Sequence, residues 1–256
     1  MGARLRISPL VRALVAGGLI ASGAPLLACG KSSSSQPRAH ATAPGEHSAG
    51  SSPSPAQASA FARSVNLTAA DVPGFAASST HEGETAQEKR LEVRLRRCAG
   101  AVGSGDALAQ QQSPSFKLRR DVLELTVSSE VTVARTQASA AGELAAIRSP
   151  RVRSCFSRYL YSLLRTQRNR DTHLSPVTIV SGTPPAPGAN GSFGWRITAS
   201  FSVAQAKLSL YVDILGFVRG TARVTLVSSG ALRPFPAAIQ QRLYTLLLAR
   251  ATAHGL

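Results

Sequence analysis

Trp195-Arg196-Ile197-Thr198-Ala199-Ser200-Phe201-Ser202-Val203 is the stretch that decides the fold class. Trp195, Ile197, Ala199, Phe201 and Val203 alternate with Arg196, Thr198, Ser200 and Ser202, the period of two with which a strand buries one face. Downstream the pattern repeats: Leu208, Leu210, Val212 and Ile214 alternate with Ser209, Tyr211 and Asp213, and Ala222, Val224 and Leu226 follow a turn between Gly216 and Gly220. Val177 and Ile179 begin this series, and Leu123, Leu125, Val127, Val131 and Val133 mark a strand further upstream. The connections between successive C-terminal strands are short. A parallel crossover needs a dozen or more residues, so these strands are expected to pair as antiparallel hairpins.

Helical spacing surrounds the strands. Leu91, Leu95 and Cys98 fall on one face of the stretch Glu84–Cys98. Ala138–Ile147 suits a short helix, and Ser149 and Pro150 are a good N-cap and first residue for the next one, whose buried face would be Val152, Cys155, Phe156, Tyr159 and Leu163. Thr68 and Asp71 have capping-box spacing, with Pro73-Gly74 ending any helix there. Pro234 and Pro236 open a last helix with Ile239, Leu243, Leu246 and Arg250 on one side. The expected fold is α+β: a twisted antiparallel sheet of about five strands with helices packed on one face and one disulfide.

The N-terminus reads as an address. Arg4, Arg6 and Arg12 precede an apolar run from Ala13 to Ala28 that is too short and too broken by Gly and Pro for a membrane span. Leu26-Leu27-Ala28-Cys29-Gly30 resembles the bacterial lipobox, in which the Cys thiol is lipidated and becomes the new N-terminus; Leu27 is bulkier than usual there. Residues 1–28 are therefore expected to be a lipoprotein signal peptide and Cys29 the lipidation site, which places the protein on the extracytoplasmic face of the cell membrane. Lys31 to about Ala60 is Ser-, Ala- and Pro-rich with no apolar residue larger than Ala, so residues 29–60 read as lipidated Cys plus disordered tether. Residues 61–256 read as one globular domain.

Cys98 and Cys155 remain. Both point inward from helices in a compartment where disulfides persist, so they are expected to pair, two buried free thiols being the alternative. No Cys or His stands at metal-ligand spacing from either, and neither a metal nor a cofactor is expected.

The layout resembles actinobacterial secreted lipoproteins that share the extracellular sensor domain of membrane Ser/Thr protein kinases. The resemblance rests on the opening segment Asn66-Leu67-Thr68-Ala69-Ala70-Asp71-Val72-Pro73-Gly74, and on the Cys98/Cys155 pair around Ser128, Ser129, Val131 and Val133. It also rests on Asp213–Gly220 followed by Val224 and Leu226, and on the closing Leu248-Ala249-Arg250. The kinase domain and its transmembrane helix are absent, and that family often carries two disulfides. The resemblance implies a sensor-like domain and no transferable functional residue.

Catalytic constellations are sparse. Gly-x-Ser-x-Gly does not occur, and Gly103-Ser104-Gly105 lacks its spacing. His81, His173 and His254 are the histidines of the globule, and only His173 with Asp171 suggests a triad fragment. Glu84, Glu88 and Glu92 read as a solvated helix face, with Glu92–Arg96 an i,i+4 pair, and Arg196 is the candidate partner of Asp213. No phosphate loop or dinucleotide fingerprint occurs, so an enzyme is not expected. The chain holds 29 Lys+Arg against 13 Asp+Glu, and all but four of the basic residues are Arg. That excess suits anionic envelope lipid or polymer, or is a compositional bias toward Arg; export and the lack of interleaved aromatics argue against nucleic acid. Pro184–Gly194, flanked by Phe193 and Trp195, is a long loop that either binds or merely connects.

The expected function is that of a membrane-anchored, non-enzymatic module that binds a ligand or protein partner. The alternatives are a lipid or glycolipid carrier of the envelope and, less favoured by the residues, an envelope hydrolase.

Overall fold

The computed structural model describes residues 53–78, 85–100, 107–121, 123–166, 172–203 and 206–256. The expected signal peptide, Cys29 and most of the tether lie outside the described residues, as do His81, Glu84, Gly103-Ser104-Gly105 and Asp171.

Five helices and nine strands are described. In chain order they are α1 (Pro55–Val65), β1 (Ala76–Ser78), α2 (Ala86–Ala99), β2 (Ala107–Gln112), β3 (Ser115–Arg120), β4 (Leu123–Ala134), α3 (Gln137–Arg148), α4 (Pro150–Thr166), β5 (Thr172–Leu174), β6 (Thr178–Gly182), β7 (Gly191–Val203), β8 (Ala206–Arg219), β9 (Ala222–Ala231) and α5 (Ala237–His254). All strand pairs are antiparallel, in the order β1-β3-β4-β9-β8-β7-β5; β2 continues the β3 edge along β4, and β6 lies with β5 along β7. The α+β class and the Cys98–Cys155 disulfide are therefore present.

Three details depart from the sequence reading. The sheet has nine strands rather than about five, because β2 and β3 occupy the stretch read as a connection before Asp121 and the three-residue β1 and β5 add two more. The side chains of β2 and β3 are mostly long and polar, and these two strands pair on the edge of β4, where an apolar signal is weakest. The globule also begins before residue 61. Ser54 caps α1 reciprocally with Gln57 (3.2 and 2.8 Å), Pro55 takes the first helical position, and Ala58, Phe61, Ala62 and Val65 are buried. Two fully buried alanines let this helix pack closely where large apolar residues are missing.

The third departure is that helices cover both faces, not one. The register of β8 against β9 explains it. Arg219 faces Ala222 across a tight turn at Gly220 (φ 57°), which places Leu215 opposite Leu226 and Ile214 opposite Val227. Directly opposed residues share a face, so Leu210, Val212 and Ile214 of β8 point one way and Val224 and Leu226 of β9 the other. On the first side, β7 and β8 present Trp195, Ile197, Ala199 and Phe201 with Val212 and Ile214 to α3 and α4, behind which α2 packs; Phe156 of α4 meets Trp195 with ring centroids 5.2 Å apart. On the second, β4 and β9 present Val127, Val131, Val133, Val224 and Leu226 to α1 and α5, where Tyr244 meets Phe217 edge-on at 5.7 Å. We call these the α4 face and the α5 face. The buried side of α5 is Gln240, Leu243, Tyr244, Leu247, Leu248 and Ala251, rotated from the Ile239, Leu246 and Arg250 line read from spacing, because apolar residues surround this helix.

Candidate functional site

Alternation in β4 accounts for Leu125, Val127, Val131 and Val133 on the α5 face. Its even-numbered residues would then meet water, yet Thr126, Ser128, Glu130 and Thr132 are only 1, 1, 6 and 4 % exposed. They form a polar floor on the α4 face. β9 extends it, since Arg223 lies opposite Thr132 and Ser229 opposite Thr126, and both are buried. Gln110 of β2, opposite Thr132, adds its side chain at the edge.

Arg223 is the centre of the charged end. Its Nη2 donates to Thr132 Oγ1 at 3.1 Å and stands 3.6 Å from Glu130 Oε1, while Nη1 is 3.3 Å from Oε2 of Glu143 on α3. Thr132 Oγ1 donates to Glu130 Oε1 at 3.4 Å. Burial pushes the Glu130 carboxyl up to about 7; attraction to Arg223 and hydrogen bonds from Gln110 and Thr132 oppose that shift, and the Glu143 carboxylate adds to it. Two buried polar atoms of the floor, Arg223 Nε and Ser128 Oγ, have no hydrogen-bond partner among the described residues. An unpaired buried donor costs free energy, so these two atoms set the floor apart from the satisfied Asp213 and Asp71 clusters.

The Glu130 shift sets a pH dependence. The folded carboxyl holds its proton above the ordinary 4.5, so its effect on stability is most favourable below that pH and is lost as pH rises toward about 7. The loss amounts to about 3 kcal/mol across the window. Glu130→Gln, which keeps the neutral shape, should flatten this fall in urea titrations run from pH 4.5 to 8; an unchanged slope would place the titrating group elsewhere.

Two further buried acids act as ties. Asp213, on the α5 face, receives Arg196 Nε at 2.7 Å and Nη2 at 3.1 Å, the pairing read from sequence, and Gln240 Nε2 bridges it to Ser228 Oγ (3.2 and 2.6 Å). Those bonds to Asp213 hold the Arg196 guanidinium more firmly protonated than usual. Asp71, in the short 3-10 turn Ala69–Asp71, receives Arg250 Nη2 and Nη1 at 2.7 and 2.9 Å and the Thr68 N–H at 2.7 Å. Burial works to raise its pKa, but the bonds from Arg250 and Thr68 outweigh it and hold the carboxyl below 3.8. The opening segment and the closing Leu248-Ala249-Arg250, far apart in sequence, are thus one ion-paired unit.

The remaining sequence candidates lie elsewhere. His173 is exposed on β5, four strand spacings from β4, about 19 Å. His254 is exposed at the end of α5. Glu88 closes a capping box with Thr85, and Glu92 pairs with Arg96. The Pro184–Gly194 segment is partly strand, since β7 starts at Gly191. The rest is pinned, with Arg219 Nη1 donating to the Gly188 carbonyl, Gly220 N–H to Asn190 Oδ1 and Ser192 Oγ of β7 to the Pro184 carbonyl. Within that strand Phe193 lies over Gly216, where a Cβ would stand 2.3 Å from its ring. A shallow groove of about 550 Å³ lies between Pro53, Gln57 and Phe61 on one side and His254 and Leu256 on the other.

Among the described residues no cluster of His, Cys, Asp and Glu could hold a metal, and no helix is long and apolar enough to cross a membrane. The chain matches no family model and no curated protein sequence.

Proposed function

We propose that this chain is an exported lipoprotein, anchored through Cys29 to the extracytoplasmic face of the membrane, whose domain is a sensor-like, non-enzymatic binding module with the α4-face polar floor as its ligand site. The observation that carries the binding reading is the floor itself: six buried polar side chains on one sheet face, with Arg223 Nε and Ser128 Oγ unpaired. Its polarity suits a small, hydrogen-bonding ligand better than an acyl chain, which favours recognition over lipid carriage. His173 and the Glu130–Arg223–Glu143 cluster stand on separate parts of the sheet, which disfavours a hydrolase using both.

Mass measurements on protein extracted gently from its own membrane test both halves. Under denaturing conditions the mass should show a lipid on Cys29 and the loss of two hydrogens at Cys98–Cys155. Under native conditions a discrete small-molecule increment should appear, and should disappear in a Ser128→Ala, Glu130→Gln variant. An unlipidated Cys29 would remove the anchor. A bare native mass for the unaltered protein would remove the ligand site.

A further inference from the structure

α2 and α4, joined by the disulfide, share an outward surface that the ligand site does not use. Arg151, Arg158 and Arg165 recur at i, i+7 and i+14 on α4, so they line a single exposed stripe about 21 Å long. Arg151 Nε donates to the Cys98 carbonyl at 2.9 Å and Arg158 Nη2 reaches Cys98 Sγ at 3.0 Å, so the stripe continues onto the end of α2. Along α2, from its first turns to its last, Lys89, Arg90, Arg94, Arg96 and Arg97 are all exposed. The two helices carry nine basic residues against two acidic ones, Glu88 and Glu92, and both acids are engaged within α2; α4 carries none. Glu82 and Glu84, ahead of α2, lie outside the described residues.

Two less polar side chains sit among these charges. Val93 is 54 % exposed, and its neighbours at i−4, i−3, i+3 and i+4 on the helix are Lys89, Arg90, Arg96 and Arg97. Half-buried Tyr161 lies under the Arg165 guanidinium at 5.9 Å. A soluble polyanion gives an exposed Val nothing to enter. The interface of an anionic bilayer does: phosphates take the guanidinium forks, while Val and Tyr settle at headgroup depth.

We infer that the α2–α4 surface docks on anionic phospholipid and holds the domain in one orientation on its membrane. The inference rests on the lipid-anchored reading, because the anchor makes a weak surface sufficient. The 24 residues from Cys29 to residue 52 reach at most about 85 Å when extended. A link no longer than that keeps the domain at high effective concentration over the bilayer.

The test uses the full chain with Cys29→Ser, which takes no lipid, so its outcome is independent of whether Cys29 is modified. Co-sedimentation compares phosphatidylcholine vesicles with mixed phosphatidylcholine–phosphatidylglycerol vesicles; any contribution of the N-terminal apolar run is common to every variant. The chain should prefer the anionic vesicles. Arg90→Ala, Arg97→Ala and Arg165→Ala together should weaken that binding about 100-fold at low salt, each cation near the surface being worth about fivefold. The corresponding triple Lys variant, which keeps the charges, should retain most of it and guards against a folding artefact. Equal binding to both vesicles, or full binding by the Ala variant, overturns the inference. So does soluble polyglutamate binding as tightly as the anionic vesicles with Val93→Ser leaving vesicle binding unchanged, which would assign the surface to an acidic polymer.

Discussion

Arg223→Met is expected to lower folding stability by about 3–5 kcal/mol at pH 8, the cost of leaving buried carboxylates without their cation. Arg223 is the shared partner of Glu130 and Glu143 beneath α3, so its loss sets two like charges against each other in the interior. At pH 5 the penalty should shrink, because the Glu130 carboxyl, pushed up to about 7, is then protonated and no longer needs its cation. Urea unfolding at the two pH values checks this, and an equal loss at both would mean that Arg223 acts through packing alone. A companion variant sharpens the reading. Replacing Arg223, Glu130 and Glu143 together by Met and Leu should restore most of the stability, since apolar substitutes for a buried ionic cluster are often neutral or better. A stable triple variant that no longer carries the native-mass increment would show a cluster kept for recognition rather than for folding.

Breaking the Cys98–Cys155 bridge should cost about 4 kcal/mol, the chain-entropy value for a closed loop of 57 residues. The loop spans α2 to α4 and contains β2, β3, β4 and α3, so the bond restricts the chain that builds a third of the sheet's strands. The Cys98→Ala, Cys155→Ala double variant should show that loss in denaturant midpoint with the native circular dichroism retained at low temperature. A loss below about 1 kcal/mol would mean that the apolar contacts of Leu91 and Leu95 with α4 fix the helix pair without it.

Much of the scaffold was legible because its signals are local. Trp195 to Val203 alternates so regularly that its strand and buried side follow directly, and Ser149 caps α4 as read, its Oγ accepting the Val152 N–H at 3.2 Å. Cys98 and Cys155 follow from helical spacing together with the disulfide-permissive compartment that the N-terminal segment implies. What escaped depends on register between strands, which no single segment encodes. The polar residues of β4 look like a solvent face until the β8–β9 pairing sends the two apolar sets to opposite sides and both faces receive helices. Nothing in β4 alone therefore marks Glu130, although Arg223, one residue beyond the Ala222 that closes the β8–β9 turn and inside an apolar run, is a visible anomaly. Alternation puts Asp213 and Arg196 on polar strand faces and so makes them candidate partners; the β7–β8 register, which sets them directly opposite, is what joins them. α1 was missed because its burial relies on Ala58 and Ala62, small residues that composition reads as tether.

The groove shared by Pro53 and Leu256 has a mechanical meaning. Both ends of the domain leave at one place, and just inside it Arg250 clamps α5 to Asp71 and to the Asn66 carbonyl. The same segment is also bonded straight to the sheet, Asn66 Nδ2 donating to the Gln111 carbonyl of β2 at 3.0 Å and the Leu67 N–H to Ser129 Oγ of β4 at 2.9 Å, so a pull on α1 would be shared between α5 and the β2–β4 edge. The domain should also accept a cut in an exposed loop with its old ends joined, since the join would span neighbours.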